Sequence, residues 1–142
     1  MDRGRGIRLD TAMAGIPKEY RDLFEKKAFA HVATLRGDGS AHVSPVWVDY
    51  DGTYVRFNTA RGRAKLRHLE RDPRVAFSIQ DPENPYRYAE VRGRVAETTE
   101  NGADAHIDAL ARKYLGQDRY PWRRPGEVRV MVKIVPEHVG GM

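Results

Sequence analysis

The sequence predicts a mainly β domain, with six or more antiparallel strands and a few helices, whose sheet closes into a small barrel. Three observations predict it: turn signals that join β-branched runs into hairpins, strand-like segments that outnumber helical ones, and no strict strand-helix alternation of the doubly wound kind. A length of 142 residues suits one domain with one core, 15–142, behind a flexible N-terminal tail, 1–14.

After the tail, Gly15 and Pro17 precede Glu19, Tyr20, Leu23, Phe24 and Ala28, the spacing of a short amphipathic helix with proline in its first turn. Two β-rich runs follow, Phe29 to Leu35 and Ala41 to Tyr50. Between them lies Arg36-Gly37-Asp38-Gly39-Ser40, whose glycines suit a hairpin. Asp51-Gly52 is a two-residue turn signal, and Thr53 to Thr59 alternates Tyr54, Arg56 and Asn58 against Val55, Phe57 and Thr59. Good helix formers from Ala64 to Arg71 then predict a helix that Asp72-Pro73 ends. Arg74 to Gln80 reads as a strand, Asp81 to Tyr86 as a proline-rich loop, and Tyr88 to Ala96 as a strand in which Gly93 marks a bulge. A helix is expected from Thr99 to Leu115 with Gly116 as its stop, and an irregular segment from Gln117 to Gly126. The last strand, Val128 to Val135, sets Val128, Val130, Val132 and Ile134 on one face and Arg129, Met131 and Lys133 on the other.

Composition excludes several functions. With no cysteine there is neither a disulfide framework nor thiolate chemistry. The five histidines, His31, His42, His68, His106 and His138, fall on different elements without ligand spacing, so no metal site is expected. The basic start, Met1 to Leu9, leads into no apolar run, and no segment approaches the roughly 18 apolar residues of a membrane span. The expected compartment is therefore the cytoplasm, with no membrane partner. A net charge of +5 favours anionic ligands. Nucleic acid is disfavoured, because the basic cluster is local and no aromatic-basic RNA-binding motif is present.

That cluster lies where a strand delivers the chain into a helix, from Thr59 through Arg61 and Arg63 to Lys65. Cations are disfavoured at a helix N-terminus and anions favoured, so this placement makes sense around a bound phosphate. The plainer alternative is a set of solvated surface charges. No Walker-type loop is present, and Gly37-Asp38-Gly39 sits in a hairpin instead of opening a helix, which argues against a Rossmann cofactor site.

Five ordered segments carry a resemblance: Ser44-Pro45-Val46-Trp47, Asp51-Gly52, Phe57-Asn58-Thr59, Arg63-Ala64-Lys65 and Asp72-Pro73-Arg74-Val75-Ala76. In this order they resemble the pyridoxamine 5'-phosphate oxidase-like split-barrel superfamily, and most of all its F420-dependent flavin/deazaflavin oxidoreductase branch. The likeness runs from the first helix to Val139. It implies a split β-barrel homodimer with the cofactor in a groove between subunits and its phosphate on the strand-to-helix junction, where Thr59, Arg63 and Lys65 match. Phe57 and Asn58 lead into that junction. The ring system would lie along Ser44 to Trp47, with Val46 and Trp47 nearest its reactive edge. Trp47 serves equally well as core or interface packing. The resemblance further implies that Tyr86 and Tyr88, and the Tyr120-to-Arg123 segment with Trp122, wall the site from the partner subunit. As interface residues alone they would look the same.

A departure from true pyridoxamine phosphate oxidases is expected, since His138-Val139-Gly140-Gly141-Met142 does not match their C-terminal arginine and histidine segment, so vitamin B6 oxidation is not the expected activity. Arg63 followed by Ala64 is closer to the deazaflavin branch. F420 carries a phospholactate and oligoglutamate tail, which Arg56, Arg61 or Arg67 would suit. The expected activity is hydride transfer between F420 and a small conjugated organic substrate. FMN as cofactor, and a cofactor-binding or storage protein without turnover, remain the alternatives. No catalytic side chain is singled out, because the cofactor itself carries the hydride.

Overall fold

Alternating burial marks the strands. In β2 (Ala30–Leu35) Ala30, Val32 and Thr34 point inward, and in β6 (Arg74–Gln80) Val75, Phe77 and Ile79 do so. The computed structural model describes residues 7–8 and 15–142. They form one curled antiparallel sheet of eight strands with three helical segments. The remaining strands are β1 (Ile7–Arg8), β3 (Ala41–Val46), β4 (Val48–Tyr50), β5 (Val55–Ala60), β7 (Tyr88–Thr99) and β8 (Arg129–Gly141). A 3-10 helix covers Lys18–Phe24, α1 covers Ala64–Arg71 and α2 covers Ala103–Leu115. Most of the expected tail lies outside the described residues, but Ile7 and Arg8 pair with Val139 and His138 of β8. No helix among the described residues is long and apolar enough to cross a membrane.

The sheet order is β3-β2-β6-β7-β8-β5-β4, with β1 on β8. β3 and β4 are consecutive in the chain, separated by Trp47 alone, yet occupy opposite ends of that order. The sheet must therefore curl until its two ends meet at Trp47, which is a split barrel. Its interior holds Leu23, Val55, Phe57, Ile79, Val91, Val132 and Ile134, with Phe24 edge-on to Phe77 at 6.1 Å.

The observed elements depart from expectation in four places. The first helix is a 3-10 segment that stops at Phe24. The long second strand breaks at Trp47. β7 continues to Thr99 because Thr98 and Thr99 pair with Val132 and Met131, so α2 begins only after Gly102, which is left-handed at φ 78°. β8 runs on through Pro136, which tolerates its place because it stands opposite the Gly93 bulge. Val128 is 41% exposed and precedes the strand, whereas Arg129 and Met131, on the face opposite the valines, are buried because α2 covers that face.

Two polar side chains fasten α2 over the end of the barrel. Lys113 Nζ donates to Val48 O (2.6 Å) and to Phe24 O, while Tyr114 Oη donates to Ala28 O (2.6 Å) and accepts from Val48 N–H (3.1 Å). Burial pushes the lysine down to about 8 and the tyrosine up to about 12.

Candidate functional site

β5 ends at Ala60, and the turn Arg61-Gly62-Arg63 redirects the chain into α1, with Gly62 at φ 91°. Arg63 is the N-cap and its side chain caps nothing, so the amides of the first helical turn keep no intrahelical acceptor. Arg61 turns aside to Glu70 (3.0 Å) and Glu100 (3.1 Å), and Arg67 donates to Gly62 O (2.6 Å); both brace the turn. Arg63 and Lys65 face a cleft of about 190 Å³.

Thr59, at the end of β5, lines the same cleft, only 2% exposed and with no hydrogen-bond partner for its Oγ among the described residues. Burial holds the Lys65 ammonium below its ordinary value, and Arg63 and Arg129 nearby push the same way. No described carboxylate pairs with Lys65. Excess positive charge beside an uncommitted buried hydroxyl is an environment that an anionic phosphate group would complete.

The rest of the lining is aromatic and apolar: Phe29, Pro45, Val46, Trp47, Ile107, Leu110, Tyr120 and Trp122, with Asn58 and Arg129. Trp47 stacks on Tyr114 (centroids 5.3 Å apart, 11° between planes) and approaches Tyr120 at 6.0 Å and Trp122 at 6.2 Å. Arg123 holds the irregular segment on α2 through Asp104 (3.0 Å) and Asp108 (2.7 Å). The Tyr120 amide donates to the same Asp108 (2.9 Å). Trp122 is thereby presented by its own chain, 59% exposed at the cleft. A planar ring fits among these faces, and the cationic end fits its phosphate.

Of the residues singled out from the sequence, Pro45, Val46, Trp47, Asn58, Thr59, Arg63, Lys65 and Trp122 meet in this cleft. The others stand elsewhere. Ser44 points inward opposite Val32 on the adjacent strand, and Phe57 is fully buried in the core. Arg56 is bound bidentately by Asp49 (2.8 and 3.0 Å). Tyr86 is 81% exposed and Tyr88 39% exposed, both off the cleft lining; between them, Arg87 ties the loop to Asp22 and Asp81. Sequence reasoning missed Phe29, Ile107, Leu110 and above all Arg129, whereas Tyr120, named with its segment, does line the cleft.

A family model for pyridoxamine 5'-phosphate oxidase matches residues 16–142. Among curated proteins none matches significantly. A solved structure named F420 reductase is 34% identical, with a TM-score of 0.77, over 88% of this chain and 98% of its own. A conserved hypothetical protein from Mycobacterium tuberculosis is 22% identical (TM-score 0.69; 90% of this chain, 86% of its own). A putative pyridoxamine 5'-phosphate oxidase from Listeria innocua is 18% identical (TM-score 0.67; 87% and 95%). These last two show the fold alone. From the match along nearly its whole length, the chain belongs to the flavin-binding pyridoxamine 5'-phosphate oxidase-like family of split β-barrels.

Proposed function

We propose that this protein is a cytoplasmic, homodimeric F420-dependent oxidoreductase that transfers hydride between the deazaflavin and a small conjugated organic molecule. The observation that carries the reading is the cleft itself, in which Thr59, Arg63 and Lys65 adjoin the faces of Trp47, Tyr120 and Trp122. The 34% identity to a protein named F420 reductase favours the deazaflavin over FMN. When bound, the cofactor supplies the hydride-carrying ring carbon. The protein's share is to hold the phosphate at Thr59, Arg63 and Lys65, to seat the ring beside Pro45 to Trp47, and to keep water from it with Phe29 and Trp122. The exposed Phe29, Trp122, Tyr86 and Tyr88 are apolar surface that a second copy would cover.

A side-by-side titration with F420 and FMN, following tryptophan fluorescence and cofactor emission, tests this. Tight F420 binding with weak FMN binding is the expected result; the reverse order makes the protein an FMN-dependent flavoprotein, and binding of neither sinks the cofactor reading. Lys65→Ala and Arg63→Ala should each weaken cofactor binding by about 1.5–3 kcal/mol, the worth of a charge-assisted hydrogen bond, with the thermal transition intact.

A further inference from the structure

Behind the cleft lies a line of hydrogen bonds whose polarity can be read from its ends. Arg129 has only donors, and its Nε donates to Asn58 Oδ1 (2.8 Å). The Asn58 amide nitrogen is thereby turned the other way, donating to Ala103 O (2.9 Å) and to His106 Nδ1 (3.1 Å). With Nδ1 accepting, neutral His106 carries its proton on Nε2, which donates to Asp49 Oδ2 (3.2 Å). Asp49 in turn takes the bidentate bond from Arg56. From Arg129 to Asp49 every donor points the same way, an arrangement in which each bond polarises the next.

The near end of this line is poised for a ligand. Arg129 is 5% exposed and lines the cleft beside Arg63 and Lys65. Its Cζ lies 5.1 Å from the centre of the Tyr120 ring, which braces the guanidinium plane. Its Nη1 lies 3.2 Å from Glu127 Oε1 but out of line for a hydrogen bond, so both atoms lack a partner among the described residues. One carboxylate, Glu127, is thus shared between Arg129 and Arg63, the latter at 3.6 Å. Three cations and one carboxylate leave the cleft short of negative charge, and a buried arginine with uncommitted N–H groups is costly unless an anion completes it.

We propose that Arg129 is a third phosphate-binding side chain of this cleft, and that Asn58, His106 and Asp49 act as positioning residues that fix its guanidinium toward the ligand. The proposal rests on the phosphate-cradle reading above and adds a contact that recognises a pair of phosphate oxygens by the fork geometry lysine lacks.

The test compares ligands with and without the phosphate: FMN against riboflavin, and F420 against its phosphate-free deazaflavin, titrated into wild type and variants. Arg129→Met should cut the preference for the phosphorylated member by about tenfold or more, leaving affinity for the phosphate-free member unchanged. Arg129→Lys should restore part of it. Asn58→Leu, which keeps all three cations but frees the guanidinium, should cut the preference several-fold; a merely structural role would lower binding of both members together. The double variant Arg129→Met/Glu127→Gln guards against misfolding from an unpaired buried carboxylate. Should Lys65→Ala abolish the preference while both Arg129→Met proteins retain it, Arg129 has no such role and the cradle stands. Should wild type show no preference for phosphate, or Lys65→Ala and Arg63→Ala leave it intact, the cradle reading fails with it.

Discussion

Asp49 shows how much one carboxylate does away from the cleft. Burial alone would raise its pKa, but hydrogen bonds from His106 and Arg56 outweigh that and hold it at about 2 against an ordinary 3.8. A folded-state pKa below the unfolded one means stability that is complete above pH ~4 and lost as the pH falls toward ~2, worth about 2 kcal/mol for this group. Urea midpoints from pH 7 to 2 should accordingly show a steeper acid decline in wild type than in Asp49→Asn, the variant starting lower. An equal slope in both would mean the pair contributes nothing. Residues such as this were not legible in the sequence, because His106 stands 57 positions away and only the fold brings the two together. Thr59, Arg63 and Lys65 were legible because their chemistry sits on adjacent local order. Arg129 was not: alternation tells which face of a strand a residue takes, and nothing about α2 covering that face.

Among elements, β7 depends on a residue with no side chain. A Cβ on Gly93 would lie 2.0 Å from Val135 O, inside the bulge where the β7–β8 register shifts. Gly93→Ala should therefore cost about 2 kcal/mol or more, as overpacking of a filled site does, and lower the melting temperature measured by circular dichroism by several degrees; an unchanged transition would show that the bulge can relax. The sequence marked this glycine, and it also bounded α1 and β6 correctly, since Asp72-Pro73 stops the helix and β6 alternates cleanly. It misplaced the start of α2, because Thr98 and Thr99 follow their ladder with β8 instead of the helical pattern after them. It passed over the break at Trp47, which is invisible to periodicity: an aromatic fits the pattern of a continuing strand, and the break comes from the sheet curling closed.

At the scale of the molecule β8 is the strand on which the barrel hangs, pairing with β7 along one side and with β5 and β1 along the other. Truncation before Val128 should remove the cooperative thermal transition altogether, because it strips the partner from β5 and from β7 at once and opens the core; a truncated chain that still melts cooperatively would contradict this. The opposite extreme is the junction at Trp47. There β3 and β4 are the outermost strands of the sheet among the described residues, and the barrel is shut by side chains, Tyr114 and Lys113 reaching across to Val48, and not by a ladder. The cleft opens onto that same seam. A molecule lodged in it works as a clasp, so occupancy and mechanical closure become one quantity: amides from Val46 to Tyr50 should exchange with solvent among the fastest in the sheet when the clasp is open, and slow in proportion to ligand bound.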